Sequence, residues 1–197
     1  MNWQSIPGET PIDDLSGLKV KGIRLRKELN LLEAENILKA AEKYFVGRLT
    51  RKKARFDFAW LLRLHKQMFG DVWTWAGRAR HFDTNLGVPH HQIEGMLFNL
   101  LKDMEFWTDT PWLMQAALLH HRSVLIHPFP NGNGRWSRML ANIWLRLNNQ
   151  PYTLWPEGTV GEENVVRDEY LKALGAADQG DYDSLVELHQ RFTVTAA

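Results

Sequence analysis

The sequence predicts an all-α protein. Apolar residues recur at three- and four-residue spacing through successive stretches, the period of helices that bury one face. Between those stretches stand Gly47, Pro111, the dipeptides Asn131-Gly132 and Asn133-Gly134, Pro151 and Gly180. At 197 residues, 44% of them hydrophobic, the chain is long enough for one domain with a core and cramped for two. A net charge of +1 does not mark a nucleic-acid binder. The absence of cysteine excludes a disulfide framework and thiolate chemistry. No apolar run approaches membrane-spanning length, and the first residues lack an apolar signal core. A cytoplasmic protein with no membrane partner is therefore expected.

Residues 1–28 read as an irregular arm, punctuated by Pro7, Gly8, Pro11 and Gly17 and then basic through Lys19, Lys21, Arg24, Arg26 and Lys27. Its charges are interrupted, which favours a solvated strap over a nucleic-acid arm. Residues 29–45 read as a helix with Leu31, Leu32, Ile37, Leu38 and Ala41 on one face and Glu33, Glu35 and Lys39 elsewhere. The basic run 48–55 reads as a solvated connector. Residues 56–69 form a strongly apolar helix. Residues 80–89 fit a short β-hairpin with its turn near Asn85 and Gly87.

A helix over 91–107 should bury Ile93, Leu97, Leu100, Leu101 and Met104, and Pro111 opens the next, over 112–126. Further helices are expected over 135–147, 163–177 and 182–192. Residues 193–197 should fray. The expected division is an arm over 1–28, one domain over 29–192 and a flexible tail over 193–197. His120 and His121 have no Cys pair or His-Glu-x-x-His beside them, so they read as satisfied histidines rather than zinc ligands.

The chemistry concentrates in the loop His127-Pro-Phe-Pro-Asn-Gly-Asn-Gly-Arg135, with Arg138 one turn further on. Pro128 disfavours the right-handed helical region for His127, so the preceding helix should stop near Ile126 or His127. The two Asn-Gly dipeptides tolerate positive φ and close backbone approach. Free N–H groups at the start of the next helix make an anion site. Arg135 and Arg138, three apart on its first turn, can both face that anion. His127 stands at the rim as a proton acceptor. Together these residues read as a phosphate cradle with a base beside it.

The loop resembles the signature of the Fic/Doc family, His-x-Phe-x-(Asp/Glu)-Gly-Asn-Gly-Arg-x-x-Arg. His127, Phe129, Gly132, Asn133, Gly134, Arg135 and Arg138 match, and Asn131 stands where the family places a carboxylate. A second stretch is similar to the family's His-x-x-x-Phe-x-x-x-Tyr-x-Trp-Ala-Gly-x-x-Arg: His65, Phe69, Trp75, Ala76, Gly77 and Arg80 match, with Trp73 in the Tyr place. The similarity runs over residues 31–192 and looks closest to the subgroup called mobile mystery protein B.

The resemblance implies a Fic-type helical domain with a β-hairpin flap beside the signature loop. It implies a protein adenylyltransferase, moving AMP from ATP to a Tyr, Thr or Ser hydroxyl of a target protein. His127 would be the base. Gly132, Asn133 and Gly134 would offer backbone N–H groups to the phosphates, and Asn133 its amide as well. Arg135 would neutralise charge on the polyphosphate, and Arg138 would contact the outer phosphate. Mg²⁺ would bridge phosphates beside Asn131. Gly134 stands where kinase-type relatives carry Lys, which points away from γ-phosphate transfer. The resemblance also extends to toxins held by a separate antitoxin chain. Two alternatives stay open: another nucleotide donor, or a non-enzymatic nucleotide-binding module with Asn131 as its departure. Two short matches to the family's inhibitory pattern, residues 153–158 and 159–164, lie away from its usual places. No built-in inhibitory helix is expected there.

Overall fold

The computed structural model describes residues 16–23, 25–156 and 165–194. Seven α-helices are described: α1 Arg26–Phe45, α2 Phe58–Phe69, α3 Ile93–Asp103, α4 Trp112–Ile126, α5 Asn133–Leu147, α6 Val165–Ala177 and α7 Asp183–Arg191. Single 3₁₀ turns, His90–Gln92 and Met104–Phe106, flank α3. The described part of the arm is tied down: Lys19 N–H donates to the Val72 carbonyl and Thr74 N–H to the Gly17 carbonyl, both at 2.8 Å. No described helix is long and apolar enough to cross a membrane.

The helical reading holds, but the buried face of α1 differs from the one its leucines suggested. Leu31 and Leu38 are exposed, whereas Leu29, Glu33, Asn36, Ile37, Ala40 and Tyr44 point inward against α2 and α5. Three of those six are polar or carry a hydroxyl, and each finds a partner. Asn36 donates to the Gln67 carbonyl at 3.0 Å and accepts from Asp71 N–H at 2.9 Å. Tyr44 donates to Gln67 Oε1 at 2.7 Å. Glu33 accepts from Trp73 and Arg135, and a buried polar group is tolerated only when bonded; these partners lie 23 to 102 residues away.

Local signals set the starts of α2 and α4. Asp57 caps α2 by accepting from Trp60 N–H at 2.7 Å. Pro111 precedes the first residue of α4.

The expected β-hairpin over residues 80–89 is not there; among the described residues there is no strand, only the isolated bridges Leu18–Trp73 and Thr153–Thr193. The segment's polar groups bond elsewhere. Arg80 is buried, and its guanidinium lies inside the segment, donating to the carbonyls of Phe82 at 2.9 Å and of Val88. Arg80 N–H donates to the Pro128 carbonyl at 2.9 Å, and Val88 N–H to the Ile126 carbonyl at 3.4 Å. These two backbone N–H groups therefore bond the end of α4 and the residue pair after it, and the Arg80 side chain takes up carbonyls that a ladder would use.

α4 and α5 form the central pair, joined by the signature loop. α6 and α7 cover α4 through a separate cluster that includes Tyr170, Leu185 and Leu188. His121 lies between Tyr182, 3.0 Å away, and Asp178, 2.9 Å away, as a satisfied histidine should. Among the described residues no group of three His, Cys, Asp or Glu side chains is placed to hold a metal.

Candidate functional site

α4 ends at Ile126, and His127 follows in the left-handed region at φ 52°, ψ 57°. That conformation, rare for a residue with a Cβ, turns the chain into the loop and leaves His127 buried. Its N–H donates to the Ser123 carbonyl at 3.3 Å, and two further contacts hold it. Its carbonyl accepts from Arg80 Nε at 2.8 Å. One ring nitrogen bonds the Val124 backbone. A carbonyl takes only a proton, so the neutral ring carries its lone pair on the other nitrogen. Burial first, then the charge of Arg80, lower the His127 pKa to about 4. At neutral pH the ring is uncharged and able to accept a proton.

The loop is closed from inside. Asn133 accepts from Phe129 N–H at 2.9 Å and donates to the Phe129 carbonyl at 2.8 Å. Both ends of the Asn133 amide thus bond Phe129, and one of its two amide N–H donors is left over. Phe129 is fully buried, stacked on His65 at 3.6 Å and edge-on to Trp136 at 5.0 Å. His65 accepts from Gly77 N–H on Nδ1 at 3.0 Å, which leaves Nε2–H to donate to the Asn131 carbonyl at 3.0 Å. Burial lowers its pKa to about 3, so this tautomer persists at neutral pH.

Gly132 takes φ 79°, and a Cβ built there would lie 2.6 Å from the Phe69 ring. Only glycine suits that position. α5 begins at Asn133, so the N–H groups of Asn133, Gly134 and Arg135 belong to its first turn and have no acceptor within the helix. They stand at the positive end of the helix dipole, where an anion would be favoured.

The two arginines diverge. Arg135 reaches α1, where its Nη1 lies 2.8 Å from Glu33 Oε2, and its guanidinium sits 4.9 Å over the Phe69 ring. Arg138 lies over Tyr170 at 5.5 Å and Trp155 at 5.9 Å, and it hydrogen-bonds the Tyr170 hydroxyl. Arginine only donates. Tyr170 O–H then points to His120 Nε2 at 3.0 Å. His120 Nδ1–H points to His189 Nε2 at 3.2 Å, and His189 Nδ1–H to Thr153 Oγ1 at 2.8 Å. Burial holds both histidines neutral, His189 with a pKa of about 3 and His120 well below the ordinary value. Tyr170 also borders the cradle: a Cβ built on Gly134 would lie 3.8 Å from its hydroxyl.

For a hard cation the loop has little to offer. Asn131 Oδ1 accepts from Gly132 N–H, and both carboxylate oxygens of Glu33 are bonded, to Trp73 and Arg135. Mg²⁺ prefers several oxygens and keeps its waters. A Mg²⁺ ion at this loop would therefore have to be carried by the phosphates of a nucleotide. Of the two inhibitory-pattern matches, 153–158 and 159–164, residues 157–164, with both pattern glutamates, lie outside the described residues.

The structure thus gathers His127, Asn131, Gly132, Asn133, Gly134, Arg135 and Arg138 in one loop and helix start. Sequence reasoning assigned no role there to Glu33, His65, Arg80 or Tyr170. Their signals were weak: a lone carboxylate, a His and an Arg at motif ends, and an aromatic on a helical stripe.

The Fic/DOC family matches residues 55–145. Protein adenylyltransferase fic-1 of Caenorhabditis elegans is 26% identical over 174 residues, 84% of this chain and 32% of the relative. Protein adenylyltransferase Fic of Culex quinquefasciatus is 30% identical over 151 residues, 73% of this chain and 29% of the relative. The chain therefore spans about a third of the length of these curated relatives. Among solved structures, the BepC effector of Bartonella tribocorum, with bound AMPPNP, superimposes with a TM-score of 0.65 at 19% identity, covering 89% of this chain and 91% of that one. A fragment of Fic-1 from C. elegans gives 0.64 at 24%, covering 90% and 52%. The helical arrangement around the loop is thus shared with these structures, and residues 55–145 of this chain match the Fic/DOC family.

Proposed function

We propose that this chain is a protein adenylyltransferase that moves AMP from ATP to a hydroxyl side chain of a target protein. The observation that carries the reading is His127. A neutral imidazole, with one nitrogen bonded to Val124, stands at the end of α4, and the loop that follows it leads into the N–H-lined start of α5 with its two arginines. The names of the relatives and the AMPPNP in BepC support a nucleotide donor.

The chemistry follows from these parts. The target oxygen attacks the α-phosphorus while its proton passes to His127. The bond from the α-phosphorus to the departing pyrophosphate breaks. The first-turn N–H groups of α5 and the two arginines hold the polyphosphate in line and stabilise the charge that develops on it. Mg²⁺, carried by the nucleotide, would add charge neutralisation beside Asn131. Asn131 in place of a carboxylate favours one second reading, a module that binds nucleotide with little turnover.

Incubation with ATP labelled at the α or the γ phosphate separates the readings. Label transfer to protein from the α position alone supports AMP transfer. Transfer from the γ position points to a kinase, and binding without transfer to the module. A toxin role controlled by a separate antitoxin belongs to the same proposal. It is tested by growth arrest on expression that His127→Ala relieves.

A further inference from the structure

Glu33 is 1% exposed, and each of its carboxylate oxygens has a separate partner. Oε1 accepts from Trp73 Nε1 at 2.6 Å. Oε2 accepts from Arg135 Nη1 at 2.8 Å. The two partners come from different places: Trp73 from the turn after α2, Arg135 from the first turn of α5. The far face of the Arg135 guanidinium is also controlled, because the Phe69 ring lies 4.9 Å from its central carbon. Phe69 in turn packs on Gly132, where nothing larger than hydrogen fits. Arg135 is thus held by α1, α2 and the turn that follows α2, none of them its own helix.

A buried carboxylate is costly unless its oxygens are bonded. Here Trp73 satisfies one oxygen and fixes the carboxylate plane, and the other oxygen is aimed at Arg135. The guanidinium has five donors in a rigid fork, so one bond to Glu33 sets its direction without exhausting it. Charges already oriented in the ground state need no reorganisation when charge develops in the reaction.

We propose that Glu33, itself anchored by Trp73, is a positioning residue for Arg135: it fixes the direction in which the guanidinium meets the polyphosphate. This rests on the adenylyltransferase reading. Glu33 touches neither substrate nor reacting atoms; it acts through Arg135. Trp73 donates through its indole N–H, a group that the Tyr of the resembled pattern does not have, so the anchor is made of this chain's own residues.

The test uses the full chain with Glu33→Gln, Glu33→Ala and Trp73→Phe. Glu33→Gln keeps the shape and an acceptor oxygen but removes the charge that orients Arg135. Its transfer rate from α-labelled ATP at saturation should fall about tenfold or more, as small misplacements of a charge-stabilising group do. The KM for ATP should change less than about threefold. Trp73→Phe leaves the Glu33–Arg135 pair but frees the carboxylate, and should cost less, about threefold. The second readout is independent of activity. The Arg135 guanidinium ¹⁵N–¹H signals, assigned with Arg135→Lys, should be resolved in the native chain and averaged by rotation in both Glu33 variants. An unchanged signal in the Glu33 variants overturns the proposal. So does an unchanged or faster rate in Glu33→Gln; a faster rate would mean that Glu33 competes with nucleotide for Arg135. If the native chain transfers no label, the adenylyltransferase reading fails, while the guanidinium signals still decide whether Glu33 holds Arg135.

Discussion

Gly87 lies against His127 so closely that a Cβ built on it would sit 2.3 Å from the His127 Cβ. The same atom would be 3.0 Å from Arg80 Nη2 and 3.1 Å from the Ile126 carbonyl. Gly87 has φ 90°, where a side chain is strained as well as crowded. The coil over residues 80–89, which forms no hairpin, thus acts as the wall against His127.

Gly87→Ala should therefore displace His127 rather than merely stiffen a loop. The backbone strain alone is worth about 1–2 kcal/mol. An ångström of misplacement at the base costs transfer on the order of 10²-fold. Label transfer and thermal unfolding measured together check this. A variant with native transfer and a native melting point would show that residue 87 does not bear on His127.

His127→Ala should lower transfer by ~10²–10⁴-fold, the usual worth of general-base catalysis, and leave ATP binding nearly intact. The pH dependence is more specific. Burial and Arg80 lower the His127 pKa to about 4, so the ring is already neutral at pH 6. The kcat/KM profile for ATP should stay flat down through pH 6 and drop only toward pH 4, within the range where circular dichroism is native. A descending limb centred at the ordinary histidine value of about 6.5 would place the titrating base elsewhere.

Stability should fall with acid for a related reason. His65 and His189 are held neutral by burial, each with a pKa of about 3. In the unfolded chain they take up protons near pH 6.5. Between pH 6.5 and 3 the unfolded state binds more protons, so stability is fully present above that window and is lost as pH falls through it. Each histidine contributes up to about 1.4 kcal/mol per pH unit there. Urea midpoints from pH 7.5 to 4.5 measure the slope. His189→Gln, which removes one titrating group, should make that slope shallower, and an unaltered slope would contradict the assignment.

Asn131→Asp restores a carboxylate beside the cradle. The side chain can still accept from Gly132 N–H, as Asn131 Oδ1 does, and its charge faces the positive end of α5. It adds a hard, charged oxygen for Mg²⁺. Transfer measured against Mg²⁺ concentration should reach half-saturation at lower Mg²⁺ than in the native chain. An unchanged Mg²⁺ dependence means that residue 131 does not meet the ion.

The sequence by itself determined the helices and the loop between α4 and α5, because those depend on neighbours in the chain. Pro128 and the Asn-Gly dipeptides restrict and permit backbone angles locally, and helical periodicity needs only a few turns. The positive φ at Gly132 was legible for that reason, and the helix expected from residue 135 begins two residues earlier, at Asn133. Tertiary structure decided which polar groups the core accepts. Glu33 looked like a surface residue until Arg135, 102 residues away, and Trp73 bonded both its oxygens. Arg80 looked like the first residue of a hairpin until the carbonyls of His127, Phe82 and Val88 enclosed its guanidinium. Arg138 took its place from Tyr170, itself held by two buried histidines in series. A charged or polar side chain is buried only where distant partners complete its hydrogen bonds, and no local pattern reveals who those partners are.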